Sequence, residues 1–291
     1  MTRAALILAL SSSLCFGLAL VTGRIGLRTL DARSGAAISI PTATLAFALA
    51  APFAFDASGF SARAALLFAL VGLFFPALVT IITFRSNEEL GPTITGAVSG
   101  TAPLFAIFAA GVLLGEKIPR QALLACVVVA AGVALLTWKQ GATRPGFKPR
   151  SLLWPICGAL VRGLAQAVAK AGLALWPNPF AAGLIGYAVS SATVVGANQV
   201  GRSKRARLTR RGAAWFAVTG ALNGGAVLLM YGALNLAPVS FVAPIVATYP
   251  LITALASALV LREEPVTARM AAGAAVTVLA IAYLAGSGAG A

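Results

Sequence analysis

Histidine is absent from the 291 residues, and acidic residues are scarce, since seven Asp and Glu accompany 22 Lys and Arg. The lack of histidine removes the commonest metal ligand, general base and proton-relay group. Three cysteines, Cys15, Cys126 and Cys157, lie inside apolar runs without the spacing of a disulfide framework or a metal site, which favours a packing role. These absences argue against metalloenzymes and Ser-His hydrolases, and we expect no enzyme activity, no metal and no cofactor.

Long apolar runs dominate what is present. The chain is 59% hydrophobic and 10% charged, whereas soluble domains are about 25% charged. A helix needs roughly 20 apolar residues to cross a bilayer, and ten such runs predict an all-α integral membrane protein. We number these runs as spans 1 to 10, and they are predicted to begin near Ala4, Gly35, Ala62, Thr93, Gln121, Ser151, Phe180, Gly212, Val239 and Val266.

The basic residues lie in the short links between spans, which is the ordinary topology signal and disfavours nucleic acid as a partner. The links after odd-numbered spans carry 16 Lys and Arg, and the opposite side carries four. Since basic loops stay cytoplasmic, both termini are predicted to face the periplasm of a bacterial inner membrane. Span 1 is longer than a signal peptide and lacks a convincing cleavage site, so we expect it to be retained.

An internal repeat divides the chain in two. Leu90-Gly91-Pro92, Pro103 and Gly115-Glu116 recur as Leu236-Ala237-Pro238, Pro250 and Glu263-Glu264, 146 to 147 residues later. Because five crossings reverse direction, the second half is expected to insert upside down, as in secondary transporters. The sequence predicts residues 1–145 and 146–291 as two inverted five-helix repeats that form one transport unit.

These features resemble the drug/metabolite transporter superfamily: five plus five helices, a proline-containing span 4 that ends in Gly115-Glu116, and a span 9 that ends at Glu263. The chain looks most like the ten-helix EamA-type branch and, within it, YddG-type exporters of aromatic and other amino acids. The resemblance implies that spans 1–4 and 6–9 surround a central cavity, with spans 5 and 10 peripheral. It also implies alternating access, in which the two halves rock around that cavity.

Span 6 carries polar side chains at mid-membrane, where such groups are costly and often functional. Arg162, Gln166 and Lys170 recur every four residues and therefore form one stripe along the helix. On a cavity wall, the stripe could hold the carboxylate of an amino acid through charge-assisted hydrogen bonds. The alternative is structural, with Lys170 reaching towards the membrane surface and Arg162 pairing with a carbonyl or an acid.

Other polar residues are candidates for the cavity wall. Because a proline leaves a helix carbonyl free, Thr248 and Tyr249 beside Pro250 are candidates in span 9. In each case a helix-to-helix hydrogen bond is the alternative role. The remaining candidates are Ser13, Thr80, Thr83, Asn223 and Tyr231.

The seven acids all fall at or near span ends, so no carboxylate is expected at mid-membrane; Glu116 and Glu263 are expected to be helix-end groups. Without a membrane-embedded acid or a histidine, a dedicated proton relay is hard to build. We therefore expect a monomeric, facilitative exporter of amino acids that contacts substrate and membrane lipid. The alternatives are a carrier of phosphorylated or nucleotide sugars or of drug-like cations, or a structural or sensory membrane subunit.

Overall fold

The computed structural model describes residues 2–118, 120–124, 127–128, 131, 148–200, 209–261 and 279, with the backbone alone at 197–200. These residues contain eight helical spans that are long and apolar enough to cross a membrane. The eight spans begin within three residues of the predicted starts. Residues 120–124 are helical where span 5 is predicted to begin. Span 10 apart from residue 279, Cys126, Glu263, Glu264 and most of the basic link before span 8 lie outside the described residues.

Four spans are continuous helices or nearly so. Thr2 and Thr209 cap the first turns of spans 1 and 8 by accepting a hydrogen bond from a backbone N–H three residues later, which satisfies a donor that the helix cannot. The bounds are Arg3–Leu27 for span 1, Ala32–Ala54 for span 2, Pro179–Val200 for span 7 and Arg210–Leu236 for span 8.

The other four described spans are divided into segments, a feature absent from the sequence prediction. Span 3 consists of Ala62–Phe74 and Ala77–Leu90, and span 4 of Pro92–Ser99 and Ala102–Leu114. Span 6 opens with a 3-10 turn, Pro149–Leu152, before Leu153–Leu175. Span 9 consists of Val239–Val246, Tyr249–Ala256 and a π-helical turn, Ser257–Leu261.

The breaks in spans 4 and 9 are repeat counterparts. They fall at Gly100-Thr101 and Ala247-Thr248, 147 residues apart, each just before a proline. The two threonines behave alike, since Thr101 and Thr248 each donate a hydrogen bond to the carbonyl three residues earlier at 2.8 Å. Because a proline has no N–H and its ring crowds the preceding turn, both helices tighten at the same place.

The two halves are interleaved around a pseudo-two-fold axis. Span 1 packs along spans 8 and 9, and its counterpart, span 6, packs along spans 3 and 4. Span 2 packs against span 8 as span 7 packs against span 3. The central interface is therefore built from contacts between halves.

Two glycines bring the broken helices close to the axis. A Cβ on Gly163 would lie 2.8 Å from the carbonyl oxygen of Ala102, and one on Gly17 would lie 2.9 Å from that of Tyr249. Gly17 and Gly163 are repeat counterparts, 146 residues apart, and each meets the break of a span from the other half. Only glycine leaves room for this approach.

The loop after span 2 is fastened to the loop after span 6. Trp176 Nε1 donates to the Ser58 carbonyl at 2.9 Å, and Asn178 Nδ2 donates to the Asp56 carbonyl at 2.6 Å. The hydroxyl and the backbone N–H of Ser58 both donate to the Asp56 carboxylate and hold the pKa of that exposed carboxyl below its usual value. These bonds fix the membrane face that also bears the N-terminus.

Candidate functional site

Two adjoining cavities lie between the halves, each with residues from both halves on its wall. The first is lined by Phe16, Ala19, Leu20, Thr83, Phe84, Ser99, Arg162, Asn223 and Tyr249. The second shares Phe16, Thr83, Phe84, Arg162 and Asn223 with it and adds Phe75, Pro76, Val79, Thr80, Tyr187 and Val227. Their volumes are about 20 and 30 Å³, which is room for one or two water molecules each. The site must widen to admit a solute.

Arg162 is the centre of both cavities. Its guanidinium carbon lies 5.1 Å from the ring centre of Phe16, 5.7 Å from that of Phe75 and 5.8 Å from that of Tyr249. The residue is 8% exposed, and its Nε is buried without a hydrogen-bond partner. Within the described part of the chain, it is the one charged side chain on either cavity wall, and no carboxylate lies within ion-pair distance of it.

The position of Arg162 follows from the repeat. Its counterpart 146 residues earlier is Phe16, and each residue directly precedes one of the two glycines that contact the broken spans. The axis therefore brings a cation from one half against an aromatic ring from the other. Attraction between a desolvated guanidinium and a ring contributes up to about 2 kcal/mol, which helps to keep the unpaired charge in the membrane.

Ser99 lines the first cavity and has a carbonyl that no backbone N–H four residues later can bond. Its carbonyl would accept the N–H four residues later in a continuous helix, but residue 103 is proline and has none. Ser99 is buried and lies on the same cavity wall as Arg162. Arg162 thus shares a cavity wall with a residue whose carbonyl lacks its usual helix donor.

The structure brings together five of the ten sequence-predicted site residues. Arg162, Asn223 and Thr83 line both cavities, Tyr249 lines the first and Thr80 lines the second. Sequence reasoning missed Ser99 and the aromatic lining, which consists of Phe16, Phe75, Phe84 and Tyr187. The sequence did contain a signal for Ser99, because the recurrence of Thr101 and Pro103 as Thr248 and Pro250 marks a helix break next to it.

The other five predicted residues are not among those that line the two cavities. Ser13 and Thr248 hydroxyls share a 2.8 Å hydrogen bond beside the break in span 9. Gln166 is 3% exposed, and its Oε1 is buried without a hydrogen-bond partner. Tyr231 is buried in span 8. Lys170, the fifth, is bound to the end of span 8.

Lys170 and Arg24 occupy equivalent positions at opposite membrane faces. Lys170 Nζ donates to the carbonyls of Leu234 and Ala237 at 2.6 and 3.2 Å. Its counterpart Arg24, 146 residues earlier, donates through Nη1 to the carbonyls of Asn87 and Glu88 at 3.0 and 3.3 Å. Each cation thus stabilises the negative, carbonyl-bearing end of a helix. Lys170 therefore has a structural role in this conformation.

Glu116 joins the halves near Lys170. Its carboxylate accepts hydrogen bonds from the N–H groups of Val239 and Ser240 at 3.2 and 3.5 Å, which caps the start of span 9. Lys170 interacts with this carboxylate electrostatically. The end of span 4 is thereby held to the start of span 9 at one membrane face, and Glu116 is a helix-end group, as its position in the sequence indicates.

Helices that interleave about a pseudo-two-fold axis, with a polar cavity at two broken spans, form the architecture of a membrane transporter. The model of the EamA-like transporter family matches the chain twice, over residues 3–138 and 149–286. The chain therefore belongs to the EamA-like transporter family, within the drug/metabolite transporter superfamily. The predicted all-α integral membrane fold is confirmed, and members of this family are transporters of small solutes.

Known structures share the fold. Among them, one solved crystal structure of a protein superposes with a TM-score of 0.73 at 14% sequence identity, covering 97% of this chain and 96% of that chain. At this identity the likeness shows the fold alone. No curated protein matches the chain.

Proposed function

We propose that the protein is a facilitative exporter of amino acids that works by alternating access. The observation that carries the proposal is the presence, on the wall of one cavity, of Arg162 and of Ser99, whose carbonyl Pro103 leaves without its usual helix donor. The guanidinium suits an α-carboxylate, and a freed carbonyl suits an ammonium group, as in other broken-helix transporters. The resemblance to YddG-type exporters points to the same substrate class.

The number of charges on the cavity wall supports this choice over phosphorylated sugars. A phosphate ester carries nearly two negative charges at neutral pH, whereas Arg162 is the one cation that the described residues place on the wall. A drug-like cation would meet that positive charge without a compensating acid. A zwitterion brings one carboxylate for Arg162 and one ammonium for neutral oxygen atoms.

The helix-end contacts support alternating access. The small cavities open only if contacts between halves break, and Glu116 provides such a contact at the face that bears the N-terminus. The charge distribution supports a bacterial inner membrane with both termini in the periplasm, so this face would be periplasmic. We propose further that residues 1–145 and 146–291 are the two repeats of a monomeric transport unit.

Counterflow in proteoliposomes tests the proposal. Vesicles holding purified protein are loaded with an unlabelled amino acid, and uptake of the labelled form is followed over a panel of aromatic, aliphatic, hydroxylated and basic amino acids. We expect saturable uptake that Arg162→Met abolishes. Arg63→Met, the same change at an exposed arginine at the start of span 3, should leave uptake intact.

Two results would count against the proposal. Absence of counterflow with every amino acid, from monodisperse protein with a cooperative thermal transition, would overturn amino-acid transport. Concentrative uptake driven by an imposed pH gradient alone would overturn the facilitative mechanism while leaving the substrate class intact.

A further inference from the structure

Tyr187 is a rigid part of the second cavity. Its ring stacks on Phe47 with ring centres 5.5 Å apart and 29° between the planes, and its backbone carbonyl accepts a 2.9 Å hydrogen bond from the Thr44 hydroxyl. The residue is 2% exposed. Spans 2 and 7 therefore hold the phenol in one place and direction.

The hydroxyl of Tyr187 is buried without a hydrogen-bond partner, although Tyr187 lines the same cavity as Arg162. The phenol is close enough to Tyr231 of span 8 and to Arg162 to interact electrostatically with both. An unsatisfied buried hydroxyl costs free energy that a phenylalanine at the same place would avoid. Because Tyr187 lines the cavity, a polar group that enters a widened cavity can satisfy this hydroxyl.

The residues around Tyr187 indicate what kind of substrate side chain could reach its hydroxyl. Much of the second cavity is apolar, with Phe75, Val79 and Val227 on its wall. A solute whose carboxylate lies on Arg162 would place its side chain among these apolar residues and Tyr187. A neutral side chain that carries a hydroxyl or an amide suits both the apolar wall and the phenol.

We propose that Tyr187 is a specificity-determining residue that hydrogen-bonds the polar tip of the substrate side chain. The preferred substrates are then neutral amino acids with a hydroxyl or amide group, ahead of apolar amino acids of equal size. This inference rests on the proposed amino-acid transport, because Arg162 must hold the carboxylate for the side chain to lie along the second cavity.

Isosteric competitors test the inference in the counterflow assay. Threonine and valine have nearly the same shape and differ in one hydroxyl, as do serine and alanine. We expect the wild-type protein to prefer the hydroxylated member of each pair. Tyr187→Phe should lower that preference about twofold to tenfold, the range of a single hydrogen bond, while the apolar member competes as before.

Thr193→Val is the matched control, since it removes a hydroxyl from an exposed position of the same span and should leave the ratio unchanged. Equal ratios in the wild-type protein and in Tyr187→Phe, or no wild-type preference for the hydroxylated members, would overturn the role of Tyr187 while amino-acid transport stands. Absence of counterflow with all amino acids would instead overturn the transport proposal, and this inference with it.

Discussion

At the scale of single residues, Arg162 is a buried charge without an acidic partner among the described residues. Arg162 is nearly buried, contacts aromatic rings and has no acidic partner among the described residues. Removing a charge from water is costly unless the charge is paired. Groups that lower the stability of a fold and are nevertheless present are commonly functional. We therefore expect mutation of Arg162 to affect transport strongly and stability little.

Arg162→Met is therefore expected to abolish counterflow while leaving the thermal unfolding temperature in detergent unchanged or a few degrees higher. Methionine fills similar space and packs well against aromatic rings. Static light scattering and a thermal-shift assay check the fold, and counterflow checks transport. A large drop in unfolding temperature would show instead that Arg162 is a structural residue held in place by its rings.

Pro103 offers a way to test the Ser99 carbonyl without touching a charged group. In Pro103→Ala, the new N–H can bond to that carbonyl and close the helix, so a substrate ammonium would lose its acceptor. Affinity for amino acids should fall about tenfold, whereas affinity for the same carboxylic acid lacking the amino group should not. Both are measured by competition in counterflow.

Pro250→Ala is the matched control for this change. It restores the equivalent bond to Val246 in span 9, and Val246 lines neither cavity. Equal losses of amino-acid affinity in the two variants would mean that helix shape, and not the Ser99 carbonyl, determines binding.

At the scale of helices, close approach depends on glycine at the axis. In Gly163→Ala, the added Cβ would lie 2.7 Å from the backbone nitrogen of Ala106, so span 6 must move away from span 4. Overpacking of this kind costs about 1–3 kcal/mol. We expect a lower unfolding temperature in detergent and slower counterflow.

Gly225→Ala provides the comparison, because its added Cβ would meet no atom within 4 Å apart from the adjoining backbone and chain neighbours of its own helix, and alanine favours a helix over glycine. Its unfolding temperature should equal or exceed that of the wild-type protein. Equal unfolding temperatures for Gly163→Ala and the wild-type protein would show that spans 4 and 6 separate without cost.

The helices themselves were predictable, since apolar length and turn residues fix where a span begins. The repeat also indicated that spans 4 and 9 correspond. The different roles of Arg162 and Lys170 in span 6 were not predictable. The two residues share a helix face, yet Arg162 lines a cavity and Lys170 binds the end of span 8. That difference depends on where a neighbouring helix ends. The ring contacts of Arg162 likewise join residues far apart in the sequence.

At the scale of the whole molecule, transport requires the two faces to open in turn, and Glu116 joins the halves at one of them. In Glu116→Ala, the start of span 9 loses its cap and Lys170 loses its nearby negative charge. The face that bears the N-terminus should then open more often. A reporter cysteine in the first cavity makes this measurable, because it reacts only when that face is open to an impermeant reagent.

Ala19→Cys, in a background where serine replaces the three native cysteines, is a suitable reporter because Ala19 lines the first cavity. With an impermeant maleimide added to intact cells, Glu116→Ala should speed labelling several-fold. Lys117→Ala, at the exposed neighbouring position, should not. Faster labelling only in inverted vesicles would show that the predicted orientation is wrong but would support the gating role. Unchanged labelling from both sides would exclude Glu116 as a gate. Glu116 at the end of span 4 caps the N-terminus of span 9, which belongs to the other half. Opening at this face therefore separates the halves at spans 4 and 9, the two helices whose breaks lie beside the first cavity.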